Sequence, residues 1–402
     1  VEKIEVVIVG AGLAGSVAAI ALSRRGRKVA LVCGKARHRD QRTTALMDQS
    51  IGFLDRLGLW ADLESKAEAL STMQIIDGTK RLLRAPPVAF RSSEIGLAAF
   101  GYNFANTDLM AVFETAIARE PNIVVYQQDA ASVAFGGPQA LVRLDDGTEL
   151  WADLVVGADG RRSMTREAAG VSVRTWSYPQ TAVVLNFSHA LPHNNVSTEF
   201  HTESGPFTQV PLHGNRSSLV WVVQPDEASR LTALPLAELS ERVEARMQSL
   251  LGKVTVEADA QAWPLSGMTA RHYGKGRAAF IGEAAHAFPP IGAQGLNLSL
   301  RDIMALEDLV GEDSGRPLSE TIGNRFDRRR KVDVLSRTAS VDLLNRSLLS
   351  PFLPVQMARA AGIHLLSALS PLRHFVMREG VAPGQGFGAL PQMLRDKIAA
   401  RF

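Results

Sequence analysis

The sequence predicts an α/β fold in which a Rossmann-type nucleotide-binding domain is interleaved with a β-sheet domain and followed by a helical C-terminal region. Three observations point to it. A β-branched run, a glycine-rich turn, an alanine-rich helical stretch and a second apolar run make a βαβ unit over residues 5–32. Between residues 171 and 263 the pattern changes to short strands. At residues 276–302 a strand, a loop rich in Gly and Pro, and a helix return the chain to the first domain. A chain of 402 residues is also too long for one simple core.

The elements follow in order. Residues 5–9, EVVIV, form a buried strand by composition. GAGLAG follows at residues 10–15. Gly10 makes the tight turn, Gly12 admits a pyrophosphate, and Gly15 lets helix approach strand. Alone this spacing is weak; after a strand and opening a helix it indicates FAD or NAD. The helix stops at Gly26, and a second strand covers residues 28–32. The acid expected there for the ribose hydroxyls is replaced by Cys33 and Gly34, and Cys33 reads as small packing filler. RTTAL at residues 42–46 precedes a helix ending near Leu57. Arg42 is either a solvated loop charge or a group that reaches the pyrophosphate or the ring edge of a cofactor.

Residues 71–100 are expected as strands with a turn at Pro86 and Pro87. A helix at 106–119 opens on Asn106, Thr107 or Asp108 as cap. Residues 124–135, 140–144 and 148–151 are expected as a β-meander turning at Asp146 and Gly147. A buried strand then ends in GADG at residues 157–160, which aims Asp159 at the carboxyl edge of the sheet. Strands at 181–187, 197–201, 208–212 and 217–223 follow, interrupted by one helix at 236–250. The expected division is 1–70, 101–170 and 266–325 for the nucleotide-binding domain, 71–100 and 171–265 for the β-sheet substrate domain, and 326–402 for the helical C-terminal region.

The stretch GRAAFIGEAAHAFPPIGAQGLNLSLRD at residues 276–302 organises the rest. A short strand ends at Gly282 and Glu283, and Pro289 and Pro290 force an extended turn. Gly292 and Gly295 let backbone approach something flat or bulky. From Leu296 the apolar spacing is helical, so a loop opens onto a helix N-terminus, where free N–H groups favour negative charge. The pattern fits a cofactor-facing loop on rigid elements.

A net charge of +3 gives no support to a nucleic-acid role. The single cysteine, Cys33, excludes an intrachain disulfide framework and a Cys-based zinc cluster and fits a reducing compartment. No metal site is visible. The uncharged run at 6–23 resembles a membrane span in length only, since Gly10, Gly12 and Gly15 interrupt it and a second strand follows. Between Arg325 and Arg378 ten Lys or Arg stand against three Asp among apolar helical residues. This region is either a helical cap with solvated charge or a surface for anionic membrane.

With GAGLAG, GADG and GEAAHAFPPIGAQGLNLSLRD together, the chain resembles the flavin-dependent aromatic hydroxylases typified by para-hydroxybenzoate hydroxylase. Within them it is most similar to the ubiquinone-biosynthesis hydroxylases, to which RTTAL and residues 344–383 point. The resemblance implies a Rossmann-type FAD-binding domain with an interleaved β-sheet substrate domain. It implies that Gly10, Gly12 and Gly15 hold the FAD pyrophosphate and that Arg42 and Asn106 lie against the cofactor. Asp159 belongs to a motif linked with FAD and NAD(P)H, and Glu283, where the family has Asp, would bond the ribityl chain. Pro290 would line the substrate cavity, and Gly295, Leu296 and Asn297 would bracket the flavin's pyrimidine edge.

The implied activity is an FAD-dependent monooxygenase that uses NAD(P)H and oxygen and hydroxylates, through a flavin hydroperoxide, a polyprenylated phenol or quinol of ubiquinone biosynthesis. A cytoplasmic location follows, with contact at the inner face of the membrane and with other ubiquinone-biosynthesis proteins as further expectations. The cofactor carries the chemistry, so no nucleophile is needed, and the sequence names no catalytic base. Two rivals remain. A hydroxylase of a small soluble aromatic acid would need a carboxylate holder such as Tyr178 or Arg216. A non-catalytic scaffold would have a decayed flavin site, a reading prompted by Cys33 and Glu283.

Overall fold

The structure, a computed structural model, describes residues 4–34, 40, 42–79, 87–202, 204–258, 260–289, 294–313, 315–349 and 370–381. A six-stranded sheet runs in the order Gly274–Lys275, Ala278–Phe280, Leu154–Gly157, Val6–Val9, Val29–Val32, Ile123–Tyr126. All neighbours are parallel except the Gly274–Lys275 edge. Its central strands are continuously apolar because both faces are covered. Val6 and Ile8 pack into the cluster with Val17, Ile20 and Phe113, from helices Leu13–Arg24 and Asn106–Arg119. Val7 and Val9 face the other way, onto Val142, Leu144 and Leu150 of a three-stranded antiparallel sheet.

That small sheet corrects the expected meander. Ala130–Ala134, Ala140–Leu144 and Glu149–Ala152 form it, whereas Ile123–Tyr126 leaves it to pair in parallel with Val29–Val32. Helix Asn106–Arg119 packs with helix Leu13–Arg24 over one face of the parallel sheet, so the strand that follows it joins that sheet at the edge beside Val29–Val32.

The large sheet is mostly antiparallel. From one edge it runs His286–Ala287, Gln261–Ala270, Val173–His189, Arg216–Val223, Pro206–Leu212, Val196–His201, Thr72–Asp77, Val88–Arg91, with Val254–Val256 also paired to Val173–His189. One face packs Val183, Phe187, Phe207, Leu219 and Trp221 under Leu231, Leu239, Val243 and Met247. The covering layer is two helices where one was expected. Pro225–Thr232 was missed because it is short and polar, although Pro225 is a favourable first-turn residue. Leu236–Arg246 stops early, at Gln248 and Ser249 with φ of 55° and 53°.

A third sheet, Thr43–Met47, Gly101–Ala105 and Glu68–Ala69, is tied to the large one by Thr43 Oγ1 donating to Ser218 Oγ (2.9 Å) and Asn103 Nδ2 to Pro211 O (2.9 Å). The long helix Ile322–Leu349 does more than cap the molecule. Its Ile322, Phe326 and Val334 are fully buried in the main core. The last described helix, Ser370–Val381, buries Met377 and Val381 against Ile95 and Phe100.

Candidate active site

The site is built where the parallel strands end. Gly10 has φ 105°, and a Cβ there would lie 2.4 Å from Ala158 O. A Cβ on Gly15 would lie 1.9 Å from Gly10 O, so only glycine lets helix Leu13–Arg24 sit this close. At Gly12 the opposite holds: a Cβ would meet nothing within 4 Å. Gly12 is also the N-cap and offers no side-chain cap, so the first N–H groups of the helix receive none from it. Two glycines close the turn, and beside the third there is open space.

Asp159 follows the strand Leu154–Gly157 on the neighbouring side of the turn. Its Oδ2 accepts from Thr165 N (3.0 Å) and Thr165 Oγ1 (3.1 Å). Its Oδ1 is buried and has no partner among the described residues. An orphaned carboxylate oxygen beside an open glycine turn is a ready acceptor for a bound hydroxyl. Cradle and acceptor together fit a dinucleotide such as FAD.

The rim is charged. Glu283 lies on the short turn Gly282–Ala284 and pairs with Arg161 (3.1 Å), both about half exposed at 51% and 46%. Arg161 also donates to Ser266 Oγ (3.0 Å) on the large sheet. Arg42 is held by two bonds to Asp40 (2.8 Å each) and lies over the Trp263 ring, 5.3 Å from its centroid. Asn106 donates to the same Asp40 (2.8 Å) and accepts from Thr44 Oγ1 (2.6 Å). Burial works to raise the Asp40 carboxyl, but the hydrogen bonds and charge of Arg42 outweigh it and hold the group below the usual carboxylate range. The Arg42 guanidinium is raised, first by its bond to Asp40. Arg42 is therefore not a free loop charge.

Asn297 is placed differently from the rest. Its Oδ1 accepts from Met47 N (2.9 Å) and Ser50 Oγ (2.7 Å), and its Nδ2 donates to Ala45 O (2.8 Å). The side chain staples helix Gln294–Glu312 to the segment that carries RTTAL. Gly295 has open space around its Cβ direction, and Leu296 packs partly into the main core. Pro290 lies outside the described residues.

Behind the rim sits a charge network that the sequence did not announce. Asp302 accepts from Gly282 N (3.1 Å), is paired with His286 Nε2 (2.7 Å), and accepts from Arg330 Nε (2.8 Å). All three side chains are buried, Asp302 to 1% exposure. Burial alone would push the Asp302 carboxyl up. The imidazole of His286 and the charge of Arg330, with the bonds from His286 and Gly282, hold it below its usual range. The long helix Ile322–Leu349 thereby fixes the turn that presents Glu283. The signal available was Asp302 closing the motif; nothing in the sequence paired it with Arg330. Asp40, Arg161 and Trp263 were also missed, though Arg161 directly follows GADG.

Residues 3–312 match the family described as FAD binding domain. The chain belongs to the FAD binding domain family. It is an FAD-dependent aromatic monooxygenase, and NAD(P)H is the usual reductant of this family. The resemblance to flavin aromatic hydroxylases of the ubiquinone group holds. Ubiquinone hydroxylase UbiL of Rhodospirillum rubrum is 33% identical over 94% of this chain and 89% of its own. 3-Demethoxyubiquinol 3-hydroxylase of Escherichia coli is 27% identical over 90% of this chain and 94% of its own. In fold, p-nitrophenol 4-monooxygenase PnpA of Pseudomonas putida superposes with a TM-score of 0.77 at 20% identity, covering 96% and 98% of the two chains. The mixed α/β architecture is that of the FAD-binding monooxygenases.

Proposed function

We propose that this FAD binding domain protein hydroxylates the aromatic ring of a polyprenylated phenol or quinol in ubiquinone biosynthesis. The observation that carries the reading is the near full-length likeness to a ubiquinone hydroxylase, 33% identical over 94% of the chain. When bound, FAD reduced by NAD(P)H would activate oxygen and supply one of its atoms to the ring. The chain's own residues then have three tasks. Gly10, Gly12, Gly15 and the first N–H groups of helix Leu13–Arg24 would hold the pyrophosphate. Asp159, and Glu283 braced by Arg161, would accept hydroxyls of the cofactor, with Arg42 and Asn106 fixed beside it through Asp40. Gly295, Leu296 and Pro290 would line the ring and the substrate, shutting out water that would waste reducing power. The division into a nucleotide-binding and a β-sheet substrate domain is part of this reading.

Both candidate carboxylate holders of a small-acid hydroxylase already have partners within the chain. Arg216 is bound twice by Glu257 (2.7 and 2.6 Å). Tyr178 is buried, and its hydroxyl accepts from Trp176 Nε1 (2.7 Å). For a membrane-dissolved substrate the protein must meet a bilayer. Among the described residues no helix is long and apolar enough to cross one. Helix Ile322–Leu349 instead exposes Val332 (78%) and Leu335 (47%) beside Lys331, which supports peripheral contact.

Deleting the gene in its host and identifying the accumulated quinone precursor tests the proposal. A prenylated ring lacking one hydroxyl is expected. Normal ubiquinone, with loss of growth on a water-soluble phenolic acid, would establish the other substrate class.

A further inference from the structure

Rossmann domains hold the adenosine ribose with an acid at the end of the second strand. Here that strand, Val29–Val32, ends in Cys33 and Gly34, neither of which can do so. The Cys33 thiol faces backbone instead, 3.1 Å from Tyr126 O. The topology, however, brings another carboxylate to the same place. Val29–Val32 and Ile123–Tyr126 run parallel with Val32 opposite Tyr126, so the segments leaving their carboxyl ends travel side by side. Cys33 N donates to Tyr126 O (2.9 Å) and Gly34 N to Gln128 O (3.2 Å). The next residue on that second segment is Asp129. A Cβ built on Gly34 would lie only 2.5 Å from Asp129 Oδ1. The carboxylate thus stands where a side chain at residue 34 would begin. Gly34, with φ +68°, is the residue that leaves it the space. The backbone of Asp129 is itself fixed, its carbonyl accepting from Asp145 N (2.9 Å).

We propose that Asp129 supplies the acid missing from the second strand and accepts the hydroxyls of the FAD adenosine ribose. The acid then stands on the segment that follows the adjacent strand, and the glycine at residue 34 leaves it the space. The sign of one measurement decides the matter. FAD carries a negatively charged pyrophosphate, so an exposed carboxylate that only stood nearby would repel it. Neutralising such a bystander would tighten binding. A carboxylate that accepts ribose hydroxyls does the reverse when neutralised.

The test is titration of apoprotein with FAD, followed by flavin fluorescence, on wild type and Asp129→Asn, with thermal unfolding of both apo forms. The expected result is an FAD Kd raised about tenfold or more in Asp129→Asn, with apo unfolding unchanged. Restoring an acid on the strand itself, as Cys33→Glu in the Asp129→Asn background, is expected to recover most of the affinity. An unchanged or tighter FAD Kd in Asp129→Asn overturns the proposal. So does a weaker Kd that comes with an equally weakened apo fold, because Asp129 would then shape the turn and not the ribose site.

Discussion

At the scale of single residues, the three glycines of the first turn make separable predictions. Gly15 is needed by the protein itself, since a methyl there would sit 1.9 Å from Gly10 O. Gly15→Ala is expected to lower the stability of the apoprotein as well as to abolish FAD retention. Gly12 has no protein neighbour within 4 Å of its Cβ direction, so Gly12→Ala is expected to leave apo unfolding nearly unchanged. It should still weaken FAD at least tenfold, because the methyl occupies the pyrophosphate's approach. Thermal unfolding without cofactor and FAD titration separate the two. The buried network gives a second residue-scale prediction. Asp302→Asn leaves Arg330, 4% exposed, without its main counter-charge at Asp302. Arg330 keeps its pair with Asp333, so the expected loss is about 1.5–3 kcal/mol, the range for a hydrogen bond between charged groups, which a urea midpoint measures directly. The site's outline was legible at this scale because glycine spacing is a backbone requirement written in sequence. Partner choice was not: Arg42 with Asp40, Glu283 with Arg161, and Arg330 with Asp302 depend on folding that sets residues 2 to 122 positions apart side by side.

Elements were legible where periodicity was strong and illegible where topology decided. The run at 5–9, the helix after it and the strand at 154–157 declared themselves, because strands buried on both faces lack polar positions. The residues at 123–126 look like any edge of a meander, with Val124 and Val125 exposed at 44% and 41%. The packing of helix Asn106–Arg119 on helix Leu13–Arg24 is what brings them to the edge of the parallel sheet. Asn297 adds a structural role inside a motif. The family resemblance implies a place at the flavin's pyrimidine edge, and its side chain joins helix Gln294–Glu312 to Met47, Ser50 and Ala45. Asn297→Ala is therefore expected to cost about 2–3 kcal/mol, since the buried Met47 N–H and Ser50 hydroxyl lose their acceptor. A fall in apo stability of that size, measured by denaturant unfolding, marks the residue as a staple between elements. Loss of flavin affinity with no change in apo stability would place it against the ring instead.

For the whole molecule, two buried ionisable groups, His189 on the large sheet and Asp302 on helix Gln294–Glu312, set how stability responds to acid. In the large sheet His189, 6% exposed, has Nε2 at 3.0 Å from Ser217 Oγ and Nδ1 at 2.8 Å from Leu191 O. Burial lowers its pKa below the ordinary 6.5. The unfolded chain takes up a proton near 6.5 while the folded chain does not. Stability is then full above about 6.5 and falls as pH drops below it, by at most ~1.4 kcal/mol per pH unit for this one group. Asp302 acts in a different window. Its carboxyl is held below the ordinary 3.8, so its contribution is complete above that value and is lost only as pH falls through the lower folded pKa. Two losses are expected on acidification, the first starting near neutrality and belonging to His189 of the large sheet. Urea unfolding at pH 7.5, 6.5 and 5.5 should show a decline in the wild type that His189→Asn largely removes, because an amide keeps a hydrogen bond but takes up no proton. An equal decline in both proteins would assign the neutral-range loss to other groups and leave the buried imidazole without a part in it.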